Sequence, residues 1–524
     1  MVLGRSRSFR ITGATALATA LLGTVVTLLL GLRLPDAVAL SRWQTESYFQ
    51  NSLRLMADGR SWLLALALLL GLLAVCLDGL SGRGKQDGRH RIGSLLVISC
   101  ALVALFADNL MTLAIAWATL DIVVYFWLAF ARGENRAEAE FSLSLLAIAL
   151  VLAAALVGAE AGVPAALNGG KMPTQGVLFL VMAAILHLNL YPVHLSARRI
   201  VQSSQVEIEC ITRLAVLAVA VNLLGALTSE AQMLPLRGWM TMAALVAGLV
   251  GGWRWYAASV PREQITHLLL AQAGMIMLTF LWGDNWAVPG VIAQGLSVLL
   301  AVPVFLLYRG NVASDRRWTS IPVLAALVLG GIRLTVGFVG VLTLYTGLLQ
   351  AGIWALTLPV VVVIQALLMA GGLRLALFSG QGPPKEAPFA NVGYKLGLTI
   401  PAMAGVLLGL APDKLGAMVG VVDLPGWTGI TTPGGFTALG SALLAGGMGA
   451  GLWAFREQLD CRGATIPRLA LASTVELRWL HGSVWTVYRG IARTMRAAAL
   501  VLEGQGGVLW ALVLVISVWL AVGR

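Results

Sequence analysis

Of 524 residues, 58% are hydrophobic and 11% are charged, against about a quarter charged in ordinary soluble domains. With a mean hydropathy of +0.85, the composition excludes a soluble enzyme. The net charge of +12, from 36 Lys and Arg against 24 Asp and Glu, would suggest a nucleic-acid partner in a soluble protein. Here the excess sits in short loops, as membrane topology requires, and no basic and aromatic cluster suited to gripping nucleic acid occurs.

Continuous apolar runs of about 17–25 residues recur along the chain, each long enough to cross about 30 Å of hydrocarbon. They do not alternate as barrel strands do. The fold class expected is therefore all-α, a polytopic integral membrane helical bundle. About fifteen spans are expected, near 11–33, 61–80, 92–107, 109–131, 141–162, 176–194, 208–228, 239–257, 264–283, 286–308, 319–351, 354–376, 394–411, 434–455 and 507–523. The first follows Arg5 and Arg7 but has no small-residue cleavage site, so it reads as a membrane helix and not as a signal peptide. Two spans are interrupted, by Pro192 and by Gly330-Gly331. Breaks at membrane depth are tolerated where they line a cavity or pack inside protein.

Alternate loops differ sharply in charge. One set carries Arg83, Lys85, Arg89, Arg91, Arg132, Arg198, Arg199, Arg262, Arg309, Arg316, Arg317 and Lys385. The other has Arg42, Arg54 and Arg60 balanced by Asp36, Glu46 and Asp58. The first set is expected on the cytoplasmic side of a bacterial inner membrane, with the amino terminus inside. Residues 1–455 then form the bundle. Residues 456–506 mix Arg with Leu, Trp and Val and are expected to form an amphipathic lateral helix, with 507–524 as a final anchor. Cys76, Cys100, Cys210 and Cys461 are scattered singly, so no metal or iron–sulfur site is implied. No cofactor is expected, and Trp253, Trp255 and Trp510 read as interface anchors and packing.

Six segments, taken in order, resemble motifs of the antiporter-like subunits of respiratory complex I, Mrp cation antiporters and membrane-bound hydrogenases. Ala57-Asp58-Gly59-Arg60-Ser61 resembles "DGLS", and Ala107-Asp108-Asn109-Leu110 followed by Trp117 resembles "ADNLL…WE". Tyr191-Pro192-Val193-His194 resembles "FPFH", and Ala271-Gln272-Ala273-Gly274-Met275 a "SQLGYM" run. Ala293-Gln294-Gly295-Leu296-Ser297 resembles "AHGLS", and Gly337-Phe338-Val339-Gly340-Val341 resembles "GFVGE" or "GFVGK".

The resemblance implies a chain of buried ionisable groups that passes protons or cations, and most of that chain is replaced. Ala118 stands at the family's glutamate, His187 at its lysine in the broken helix, Gln294 at its histidine and Val341 at its terminal acid or lysine. Arg213 keeps the basic site of the next helix, but an arginine holds its proton and anchors better than it relays. The proton-path candidates are Asp121, one turn from Trp117, with His187, Glu209 and Arg213. Glu209 and Arg213 have the spacing of a local i, i+4 ion pair. Arg333 also falls inside an expected span, while His194 and His267 read as membrane-edge residues.

The function expected is a divergent proton- or cation-translocating subunit of a complex I-like assembly, working with other membrane subunits. With most charges replaced, a structural or coupling role replaces full conduction. The alternative is the membrane subunit of an inorganic-carbon uptake complex beside a separate zinc, carbonic-anhydrase-like partner. A stand-alone transporter would need an intact ion site of its own.

Overall fold

The computed structural model describes residues 9–39, 53–80, 88–132, 134–162, 167, 172–190, 206–258, 261–309, 319–377, 392–421 and 433–455, with 486, 490 and 493. These residues form a polytopic helical membrane bundle. The helices are α1 (Phe9–Leu30), α2 (Gly59–Leu80), α3 (Gly88–Leu105), α4 (Leu110–Arg132), α5 (Glu134–Glu160), α6 (Thr174–His187), α7 (Val206–Ala226) and α8 (Arg237–Ala257). They continue with α9 (Pro261–Trp282), α10 (Ala287–Arg309), α11 (Ser320–Leu329), α12 (Val336–Gln350), α13 (Leu358–Leu377), α14 (Val392–Leu410), α15 (Pro412–Met418) and α16 (Pro433–Ala454). Each of the spans expected before residue 456 overlaps one of these helices, except the interrupted 319–351 span, which holds two. Among the described residues, 9 helices are long and apolar enough to cross a membrane, and α3, α6, α7, α11 and α12 contribute shorter apolar ones. The chain divides at Arg456, and apart from residues 486, 490 and 493 the lateral helix and final anchor expected beyond it lie outside the described residues.

Burial ranks the helices from centre to rim. The apolar window of α10 is 100% buried, whereas that of α1 is 22% buried and that of α5 28%. A helix apolar all round packs inside protein, and one with half its girdle uncovered faces lipid. Small residues permit a close crossing of α8 on α9. A Cβ on Gly251 would stand 2.5 Å from the Ala271 nitrogen, and one on Gly274 2.5 Å from the Ala244 carbonyl oxygen. Trp255, expected as packing or an anchor, is core: it is fully buried and donates to the Leu368 carbonyl at 2.9 Å. Trp253 is exposed.

Contacts between turns sort the helix ends into two sets, matching the alternation read from loop charge. At one end, the Asp108 amide donates to the Arg54 carbonyl (3.1 Å) and the Leu167 amide to the Asp108 carbonyl (3.0 Å). At that end too, Gln232 donates to Asp284 (2.9 Å) and Arg237 to the Leu281 carbonyl (3.1 Å). At the other end, the Tyr308 hydroxyl reaches Ala376 and the Tyr256 hydroxyl reaches Leu452, each at 2.9 Å. A short antiparallel hairpin, β1 (Asp36–Ala39) with β2 (Arg54–Ala57), lies at the first end and adds strand to a fold expected to be wholly helical.

The second interrupted span is a break between two helices, and the described part of the first ends on the same cap. After α6, the amides of Leu188, Asn189 and Leu190 donate to Ala184, Leu186 and Ile185 at 2.8, 3.2 and 3.2 Å. After α11, those of Gly330, Gly331 and Ile332 donate to Ala326, Val328 and Leu327 at 2.8, 3.2 and 3.1 Å. The middle residue is left-handed in each, Asn189 at φ 49° and Gly331 at φ 59°, as in a Schellman close. Pro192 lies outside the described residues, so the first break is fixed here by its cap alone. Arg333, expected inside a span, is exposed within the second break.

Gly274→Ala forces a methyl into the Ala244 carbonyl, whereas Gly440 has no atom within 4 Å of such a methyl. Gly274→Ala should lower thermal stability in detergent by about 1–3 kcal/mol, and Gly440→Ala should leave it within about 0.5 kcal/mol.

Candidate functional site

The site grows from two helices that start at the same end of the bundle. Asn109 caps α4, its Oδ1 accepting from the Thr112 amide at 2.8 Å. Asp121 lies eleven residues after Leu110, about 16 Å along α4. His187 closes α6, about 20 Å from Thr174. Both therefore sit near the middle of a hydrocarbon layer about 30 Å thick.

There the two side chains meet. His187 Nε2 lies 3.0 Å from Asp121 Oδ2, and each side chain is 2% exposed. His187 Nδ1 lies 3.1 Å from the Ala183 carbonyl, and Trp117 stacks on the imidazole with centroids 4.1 Å apart. A carbonyl only accepts, so these partners place a proton on Nδ1. The Nε2–Oδ2 contact is then a hydrogen bond through one proton, which rests on nitrogen as an imidazolium–carboxylate pair or on oxygen as a neutral pair. Either form carries no net charge, which is why it is tolerable in hydrocarbon.

The other acidic and basic side chains buried among the described residues lie closer to helix ends. Arg91 is in the first turn of α3, Asp108 precedes α4, and His267 is in the second turn of α9. Arg213 is half-buried on α7, and the Glu209 side chain lies outside the described residues, as does His194. The sequence singled out Asp121, His187 and Trp117 separately; the structure brings all three together. Ala118 lies on the half-exposed flank of α4, so Asp121, and not position 118, points a carboxylate into the core.

Around the second break the buried groups are neutral. Val341 and Gln294 are each 2% exposed. A Cβ on Gly331 would stand 2.6 Å from Val341, and one on Gly340 2.6 Å from Gln294, so both residues pack at the broken helix. Sequence reasoning missed Gln365. Its amide nitrogen donates to the Gly330 carbonyl freed by the break, and its oxygen accepts from the Tyr345 hydroxyl. Gln272 is fully buried with neither amide atom hydrogen-bonded, and Gln294 Nε2 is likewise unsatisfied. A lone amide inside an apolar run such as Val360 to Leu368 was the available signal. None of these side chains takes up or releases a proton near neutral pH.

At the amino-terminal end of α4 a second cluster forms. Asp58 caps α2, accepting from the Ser61 amide at 2.8 Å and from Arg60 at 3.0 and 2.7 Å. Burial pushes its carboxyl up, but Arg60 and the Ser61 bonds outweigh that and hold it below the usual value. Arg54 pairs with Asp108 at 3.2 Å. Among the described residues no group of three metal-ligating side chains occurs.

No protein-family model matches the sequence, and no curated protein matches it by sequence. The fold has clear structural counterparts. A chain of the Mrp complex from Dietzia sp. superposes at TM-score 0.75 with 19% identity, covering 98% of this chain and 60% of that one. A chain of an archaeal respiratory complex, the membrane-bound sulfane sulfur reductase, gives TM-score 0.66 at 14% identity and covers 98% of both. One from Thermus thermophilus respiratory complex I gives 0.63 at 17%, covering 83% of this chain and 98% of that one. The chain thus has the fold implied by the motif resemblance, and spans three-fifths of the Mrp chain it matches.

Removing one member of the buried pair strands the other. Asp121→Ala and His187→Ala should each destabilise the chain by about 1–3 kcal/mol. The double variant should cost less than their sum by about 0.5–2 kcal/mol, measured by reversible unfolding in mixed micelles. Strict additivity would show that the contact contributes nothing.

Proposed function

We propose that this chain is an antiporter-like membrane subunit of a multi-subunit, energy-converting complex, in which Asp121–His187 is a deep proton-carrying pair and the buried groups at the second break are neutral. The observation that carries the reading is the contrast between the two breaks. The first ends on an imidazole nitrogen 3.0 Å from a carboxylate oxygen, whereas the second is held by the Gln365 amide and the Tyr345 hydroxyl.

The chemistry follows from charge. Transfer of the proton between Nε2 and Oδ2 leaves the pair neutral and costs little solvation. Gain or loss of a further proton leaves a net charge in hydrocarbon, which is expensive unless a compensating charge arrives nearby. A pair of this kind responds to charge movement in a neighbouring subunit, giving a coupling element with no through-path of its own. The ordered loss of ionisable groups at Gln294 and Val341 supports coupling over conduction, because a relay needs groups that titrate within reach of one another. The basic loops support an amino terminus on the cytoplasmic side of a bacterial inner membrane. The protons or monovalent cations handled, and the neighbouring membrane subunits, belong to this proposal.

Purification in mild detergent through a tag on this chain should bring down other polytopic subunits with an electron-transfer partner. A zinc protein in their place would move the same chain to inorganic-carbon uptake. In the purified complex, Asp121→Asn, His187→Gln and the double variant should give the same partial loss of ion translocation, since residues acting as a unit are not additive. Complete loss would show that a whole path runs through this chain.

A further inference from the structure

Above the buried pair, at the end of the bundle where α4 begins, lies a cavity of about 10 Å³, close to the least volume that holds one water. Asp58, Arg60 and Asn222 supply its polar wall, and Leu113 is part of its floor. Asp58 and Arg60 are paired at 2.7 Å. Asn222 donates through Nδ2 to the Leu105 carbonyl at 3.0 Å, while its Oδ1 is buried without a donor. The cavity therefore carries charge and an unsatisfied acceptor, the setting in which a water is held.

From that floor one stripe of α4 leads straight to the pair. Leu113, Trp117 and Asp121 follow at steps of four residues, so their side chains stack along one face. Each step rises about 6 Å, which puts Asp121 about 12 Å below Leu113. All three are buried, with Trp117 fully so. The indole lies between cavity and pair along this stripe and stacks on His187. Its Nε1–H is buried without an acceptor, although an indole N–H normally finds one when buried. A second orphaned polar atom thus belongs to the residue one turn along α4 from the cavity-lining Leu113, and a water admitted there would give it a partner.

We propose that the cavity framed by Asp58, Arg60 and Asn222 is the water inlet to the Asp121–His187 pair, and that Trp117 is the plug that closes it. The inlet rests on the reading of that pair as a proton carrier. With the indole in place the pair is dry and keeps its single proton. With the indole displaced, water reaches His187 from the end of the bundle where Asp58 lies, and the proton becomes exchangeable on that side only. The pair then communicates with one face of the membrane, which suits a coupling element.

The test uses the full chain in liposomes, labelled with nitrogen-15 histidine. The sequence holds 5 histidines, and the His187 signals are those absent from His187→Gln. Trp117→Ala should speed hydrogen–deuterium exchange of the His187 ring by about tenfold or more. Adding Ala226→Leu, which fills the cavity wall, should abolish that gain. Trp117→Phe should give a smaller acceleration, and it carries the test if the alanine variant does not accumulate. Exchange unchanged by the Trp117 substitutions would remove the plug, and acceleration indifferent to Ala226→Leu would place the inlet elsewhere. In the Trp117 variants, where water reaches the pair, a His187 nitrogen shift that still stays fixed between about pH 5 and pH 8 would instead sink the proton-carrier reading and deprive the inlet of its purpose, whatever the exchange rates.

Discussion

Hydrocarbon solvates neither a charge nor a free backbone carbonyl, and both broken helices answer to that constraint. A helix that stops at membrane depth leaves carbonyls without donors. In this chain each break folds its last turn back on itself with one left-handed residue, and side chains attend to what remains. At the first break His187 turns Nδ1 to the Ala183 carbonyl and Nε2 to Asp121. At the second, Gln365 gives its amide to Gly330. The side chains set at the two ends differ: an imidazole beside a carboxylate in one place, and a neutral amide on a freed carbonyl in the other.

That difference sets what each half of the molecule can do. An amide and a phenol satisfy the second break at every physiological pH, so nothing there changes when a proton arrives. The imidazole–carboxylate pair has two arrangements of equal net charge, and a nearby charge biases the choice between them. Packing reinforces the asymmetry. Val341 and Gln294 pack against Gly331 and Gly340, so neutral side chains occupy the space beside that break. The chain keeps the architecture shared with its structural counterparts while losing most of the groups that the motif resemblance would place along it.

Much of the fold was legible because apolar run length fixes spans and loop charge fixes their alternation. The Gly330-Gly331 break was legible because only glycine adopts a φ such as that of Gly331 without strain. The first break was marked by Pro192, yet its described cap turns on Asn189, whose short polar side chain also tolerates that conformation. The β1–β2 hairpin was not legible: Asp36–Ala39 and Arg54–Ala57 are short and joined across a long stretch, so no local pattern announces their pairing. The site was half legible. Helical spacing put Asp121 on the Trp117 face, but no periodicity could say that it meets a histidine 66 positions away. Gln365 escaped notice because a search for buried function looks for charge, and a neutral amide satisfies a broken backbone without one.

The central claim is that this chain carries a proton-holding pair but no complete path. The most direct measurement is proton flux through the purified full-length chain in liposomes, with an imposed potential and an internal pH-sensitive dye. The account predicts acidification no faster than in protein-free vesicles, with Asp121 and His187 intact. A robust flux that disappears in His187→Ala would contradict it, because the proton would then be crossing the neutral half at Gln294, Val341 and Gln365.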